Sequence, residues 1–371
     1  MRKATLTDIA LKLGISPSSV SKALSGGTGK GNTRISPGTL KRIQDAAREM
    51  NYRGNPGARA LRTRRFHNIG FFEFRKRPGD YAFSEPTLNG LSEAAARAGQ
   101  NIVFVRVPQE AGELADIPRA LREEGLDALI IANLTALGEI FQNAVEAAGV
   151  PVIYLNEKRT TNAVYVNDVV SGRLMTAHLV GRGFRRIAML APGTSGNHYS
   201  TADRISGYLG IMREAGLEPV LKTYARDTWR YETSDWLAAA NPAQRPEAIF
   251  CVDDHVALML QRILYDLRLH IPGDIAIAGC NGEQLALHSP VPLTTLEIPF
   301  HEMGVRALEM AVRCADRKTR RSIPSLVLEP RLVIRESSIN RATTKTLPRL
   351  CLHENDTPDV STARRLSATE S

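Results

Sequence analysis

The chain has 371 residues, 43% of them hydrophobic, and a formal net charge of +9. That length and apolar content exclude a disordered or fibrous chain and leave room for more than one domain. No apolar stretch approaches membrane-spanning length, and the N-terminus lacks the layout of a secretion signal, so a cytoplasmic protein is expected.

The charge is unevenly placed. Residues 1–66 carry fourteen Lys and Arg against Asp8, Asp45 and Glu49, a net of +11, so the remainder sums to −2. A basic headpiece on a near-neutral body is the footprint of a phosphate-binding module. Within it, TLTDIALKLGISPSSVSKAL (5–24) predicts two short helices. Thr5 and Asp8 form a capping box, and Leu6, Ile9, Ala10 and Leu13 fall on one face. Gly14 suits the turn, Ser16 caps the second helix, and Pro17 occupies its first position. Val20, Ala23 and Leu24 give that helix an apolar side, with Ser18, Ser19, Ser21 and Lys22 on the others. Such a pair fits a helix-turn-helix, with Thr5, Ser16, Pro17, Ser18, Ser19, Ser21 and Lys22 as candidate DNA contacts. The bland alternative is a helical pair from any small bundle; the local charge favours DNA. Ser36 and Pro37 open a third helix carrying Leu40, Ile43, Ala47 and Met50. Between them, SGGTGKGNTR (25–34) only superficially resembles a phosphate loop. Gly31, not Ser or Thr, follows Lys30, and no strand precedes the segment. A surface loop is the better reading.

TLTDIALKLGISPSSVSKAL, ISPGTLKRI and NYRGNPGARALRTRR together resemble the headpiece and hinge of the lactose-repressor type (LacI/GalR) of bacterial transcription regulators. The resemblance implies a hinge over residues 55–66 that becomes helical on operator DNA, with Asn55, Ala58 and Leu61 at the DNA. Leu61 stands where the family inserts a leucine into the minor groove. Pro56 and Gly57 make an autonomous helix unfavourable, and so short a helix is marginal in water. An apolar wedge between base steps kinks DNA. The alternative for Leu61 is a linker residue packed on the body.

From His67, apolar runs (NIGFFEF, NIVFVRV, DALIIAN, PVIYL, RRIAML, AIFCV, DIAIAGC) alternate with helical patterns. That alternation predicts an α/β body of parallel sheets with helices on both faces, in two lobes. HLVGRGFRRIAML, ADRISGY, AIFCVDD, IPGDIAIAGCNG, PLTTLEIPFHEMG and LVIRESS resemble the periplasmic-binding-protein-like core of the same family. The expected organisation is a headpiece at 1–54, the hinge at 55–66, a core at 67–339 and a disordered tail at 340–371. Lobe 1 takes about 67–165 and 299–326, lobe 2 about 166–296 and 331–339. Crossovers are expected near 165–167, 296–299 and 326–331.

Ligands bind such folds at the carboxyl ends of the strands. Arg204 matches the family arginine that grips effector hydroxyls or carboxylates; the alternative is a salt-bridged surface arginine. Asp253 and Asn281 follow two strands where the family usually has Asn and Asp, so the polar pair looks exchanged. Asn156 replaces a commoner Asp, and Ser84 stands where sugar-binding relatives place an aromatic. Trp229 is either a stacking platform or an ordinary packed tryptophan. These groups suit a neutral sugar or sugar derivative better than a phosphorylated one.

Enzyme readings find little. There is no G-x-S-x-G elbow, and Asp253-Asp254 lacks a His ligand pattern. Cys251, Cys280, Cys314 and Cys351 are far apart, with no C-x-x-C, so no metal or redox cofactor is expected. The sequence thus reads as a homodimeric, non-enzymatic regulator, more repressor than activator, binding a pseudo-palindromic operator under effector control. The competing reading is a solute-binding protein or sugar-processing enzyme on the same two-lobed fold.

Overall fold

The structure is a computed structural model that describes residues 4–24, 35–54, 60, 65–75, 85–108, 118–123, 125–132, 139–193, 198–225, 228–316 and 322–339. Two compact units divide the chain, 1–67 and 68–371.

The first unit packs α1 (Leu6–Leu13), α2 (Pro17–Leu24) and α3 (Pro37–Glu49) around Ile9, Val20, Ile43 and Ala46. Its helix starts are set locally. Thr5 Oγ1 accepts from Asp8 N–H at 3.3 Å while Asp8 accepts from Thr5 N–H at 2.8 Å, the reciprocal capping box. Ser16 Oγ accepts from Ser19 N–H, and Ser36 Oγ from Thr39 N–H. Gly14 ends α1 at φ 66°, a backbone conformation that disfavours a Cβ. Lys12 pairs with Glu49 at 2.6 Å, tying α1 to α3.

The second unit holds two six-stranded sheets. Lobe 1 contains β1 (Asn68–Arg75), β2 (Asn101–Pro108), β3 (Ala128–Ala132), β4 (Val152–Leu155), β5 (Ala163–Val166) and β11 (Leu326–Leu328), in the order β11-β5-β4-β3-β1-β2, all parallel. Lobe 2 contains β6 (Ile187–Pro192), β7 (Val220–Tyr224), β8 (Ala248–Cys251), β9 (Ala276–Asn281), β10 (Thr294–Glu297) and β12 (Arg331–Val333), in the order β12-β10-β9-β8-β6-β7, with only β12 antiparallel. The chain passes between the sheets at residue 167, at 298–299 and at 329–330. The doubly wound α/β class expected from strand–helix alternation is present. The central strands β3 and β8 are buried at every position, as parallel strands covered on both faces must be.

Helices α4 (Glu85–Ala98), α5 (Arg119–Arg122), α6 (Glu139–Ala148) and α12 (Phe300–Ala315) cover lobe 1. Lobe 2 is covered by α7 (Asp168–Gly181), α8 (Tyr199–Glu214), α9 (Trp229–Ala239), α10 (Asp254–Asp266) and α11 (Gln284–His288). Each lobe has one helix crossing closed by glycines. A Cβ on Gly90 of α4 would lie 2.1 Å from the His301 carbonyl of α12, and one on Gly172 of α7 2.1 Å from the Arg204 carbonyl of α8. In ADRISGY, Gly207 permits the second crossing. Tyr208, fully buried, donates to the Ile187 carbonyl and accepts from Val220 N–H, both at 2.8 Å.

Candidate functional site

In the first unit, the expected DNA contacts sort by how far their own fold uses them. Thr5 and Ser16 serve as caps, with Ser16 Oγ also 2.9 Å from Ser18 Oγ and 2.8 Å from Ser19 Oγ. Pro17 and Ser18 are exposed, while Ser19, Ser21 and Lys22 are half-buried. Asn55, Ala58 and Leu61 of the hinge lie outside the described residues, as does Ser84.

In the second unit, most of the groups expected at the strand ends are engaged by their own fold. The close crossing at Gly172 sets α8 against the first turn of α7. Arg204 Nε there donates to Asp168 Oδ1 at 2.7 Å and Nη1 to the Val252 carbonyl at 2.6 Å. The pair is almost wholly buried, with side-chain exposures of 8% and 2%. Burial opposes the charge of Arg204, but the neighbouring Asp168 carboxylate outweighs it and holds the guanidinium above its ordinary value. Arg204 is therefore a buried, paired arginine rather than a freely extended one.

Asp253 closes β8 and caps α10, accepting from Val256 N–H at 2.8 Å. Asn281 ends β9 at φ 123°, two residues before Glu283. The next acid along, Asp254, is fully buried beneath this rim. It accepts from Thr295 Oγ1 at 2.5 Å and from Glu283 N–H at 2.8 Å, and burial pushes its carboxyl up to about 6. Trp229, half-buried at the start of α9, faces Tyr224 at 5.5 Å between ring centroids.

Asn156 belongs to a bridge between the lobes. It ends β4 at φ 60°, and its carbonyl lies 2.5 Å from His198 Nε2 on α8. A carbonyl only accepts, so Nε2 carries the proton and Nδ1 accepts, 2.8 Å from Ser200 Oγ. Burial lowers the His198 value, which keeps the ring neutral. Tyr199 Oη donates to Asn156 Oδ1 at 3.2 Å and accepts from Val166 N–H at 3.2 Å. Lys158 pairs with Asp203 at 2.7 Å across the same seam. The sequence reading omitted Asp168, His198, Tyr199 and Glu283. Each acquires its role only from a partner far along the chain, and no local motif marks it.

Residues 176–338 match the periplasmic binding protein-like domain family. The repressor PurR of Vibrio vulnificus is 25% identical over 344 residues, covering 90% of this chain and 98% of the relative. The regulator CelR of Thermobifida fusca is 26% identical over 348 residues, covering 91% and 98%. Both alignments run through headpiece and body alike. Over nine-tenths of its length the chain is similar to HTH-type transcription regulators. Among solved structures of the same fold, a lac repressor dimer bound to operator and an anti-inducer superposes with a TM-score of 0.74 at 21% identity, covering 91% of this chain and 100% of that one. A CelR–cellobiose complex gives 0.62 at 22% identity, covering 90% and 99%. These relatives are transcription regulators and not enzymes. Among the described residues, no helix is long and apolar enough to cross a membrane.

Proposed function

We propose that this chain is a homodimeric repressor of the LacI type acting in the cytoplasm, whose affinity for a pseudo-palindromic operator is set by a hydroxylated, sugar-like effector between its lobes. The observation that supports the reading is that Arg204, early in α8, is held on the Val252 carbonyl beside Asp253, while Asn281 ends the neighbouring strand β9. CelR has been solved with cellobiose, and its core shares this fold. One headpiece makes too few contacts for specific binding, whereas a two-fold pair reads two half-sites. An effector that prefers one lobe arrangement shifts the dimer toward it and moves the hinges at 55–66.

On this reading Pro17, Ser18 and Lys22 face the major groove, and Leu61 wedges into the minor groove. The test is a thermal-shift screen of the full chain against sugars, sugar acids, phosphorylated sugars and purines, followed by operator binding with and without each hit. A hit that raises the melting temperature and changes operator affinity supports the reading. Hits that bind Arg204→Ala as tightly as the parent, with the variant folded, place the effector elsewhere. Leu61→Ala is expected to weaken operator binding and reduce DNA bending, leaving effector binding intact; normal bending assigns the wedge to another residue.

A further inference from the structure

The chain leaves its second unit against a groove. Ser338 Oγ, fully buried, sits 2.8 Å from His178 Nε2 of α7, and Ile339 is the last of the described residues. One turn back along the same helix, Leu174 lines an open groove of about 940 Å³ between α7 and α8. Val170 of α7 and Ile205 and Leu209 of α8 continue its apolar lining. Arg173 donates to both carboxylate oxygens of Glu214, at 2.8 and 3.2 Å, which joins the two helices. Exposed Arg213 lines the groove beside that pair. Asn167 and Glu329, hydrogen-bonded at 3.2 Å, line it where two of the crossovers pass.

We propose that residues 347–352 of the same chain, LPRLCL, seat in this groove, with Glu354 and Asp356 beside Arg213. Residues 340–371 lie outside the described residues, and this run, with Leu347, Leu350, Cys351 and Leu352, is the densest apolar stretch in their sequence. The tether reaches. Val170 lies about 12 Å along α7 from His178, at 1.5 Å per residue. From Ser338 to Leu347 the chain spans about 30 Å when extended. So short a tether makes docking intramolecular, and modest apolar burial suffices where a free peptide would need high affinity. The occupant is apolar and then acidic; the groove is apolar and carries Arg213 at its rim. Because Asn167 and Glu329 line the same groove, a seated segment also buttresses two crossovers between the lobes.

Cys351 reports the seat, because Cys251, Cys280 and Cys314 are buried. The full chain is reacted with a water-soluble thiol reagent beside a synthetic peptide of residues 343–357, and modification at Cys351 is read by mass spectrometry. Cys351 is expected to react about tenfold more slowly in the chain than in the peptide, which needs docking of only about 1.4 kcal/mol. Ser206→Trp fills the groove from an exposed position, and Leu209→Glu charges its lining. Each is expected to return the rate to that of the peptide, with circular dichroism showing that the variant is folded. A peptide-like rate in the parent, or protection that survives in either variant while folded, overturns the inference. Protection lost on dilution assigns the seat to a second copy and overturns it too.

Discussion

The Arg204–Asp168 pair makes the sharpest demand on this structure. Arg204→Met keeps much of the side-chain volume but leaves the Asp168 carboxylate buried, at 2% exposure, without its cation. Removing one partner of a buried pair costs about 3–5 kcal/mol, because the remaining charge is desolvated and unmatched. The Val252 carbonyl also loses its donor at 2.6 Å. For a body of this size each kcal/mol shifts the melting temperature by about 2–4 °C, so a drop of roughly 6–20 °C is expected. Asp168→Asn, which discharges the partner, is expected to cost less. The double variant is expected to be more stable than Arg204→Met alone, since no uncompensated carboxylate remains. Urea unfolding of the parent, both single variants and the double variant closes the cycle. Costs that add within about 0.5 kcal/mol would show that the two side chains are not coupled and refute the reasoning.

Other expectations are briefer. Gly207→Ala places a Cβ 2.2 Å from the Val169 carbonyl, a backbone atom that cannot rotate away. A loss of about 1–3 kcal/mol is expected despite alanine's better helix propensity, and an unchanged urea midpoint would contradict the crossing. Burial and then nearby Arg182 lower His178 from 6.5 to about 4, so below pH 6.5 the unfolded chain takes up a proton that the folded chain refuses. Stability is therefore lost as pH falls through this window, by up to ~3 kcal/mol from this group. Asp254, raised to about 6, acts in the opposite sense, so His178→Gln is expected to be less acid-sensitive than the parent between pH 6.5 and 4 in melting experiments. Lys22→Ala is expected to cost about 1–3 kcal/mol on the selected operator in a mobility-shift assay, and equal affinity would remove Lys22 from the contact set.

The headpiece was legible because its signals are local. Thr5, Asp8, Gly14, Ser16, Ser36 and Pro37 act on neighbours within three or four residues, and the structure finds each in that role. The apolar strands were legible for the same reason, even the four-residue β4 and β8. β5, β7, β10, β11 and β12 were not read as strands: β7, β11 and β12 are partly exposed sheet edges, β10 reads TTLE, and β5 is a four-residue run completed by its ladder partners. The site divides similarly. ADRISGY singled out Arg204, yet its engagement with Asp168 spans 36 residues and depends on a glycine crossing. Asp253 stood out as a strand-end acid, whereas its service as a helix cap depends on where α10 begins.

The threading of the chain also governs the order in which the protein matures. Sheet 1 is not finished by its first five strands: α12, which locks onto α4 at Gly90, and the edge strand β11 are encoded after all of lobe 2 except β12. During synthesis the three-helix unit, with its own core around Ile9 and Ile43, leaves the ribosome some 250 residues before α12 does. Ribosome-bound chains stopped before residue 300 are therefore expected to resist protease in the first unit while lobe 1 stays cleavable. The three-helix unit comes into being well ahead of the two-sheet body.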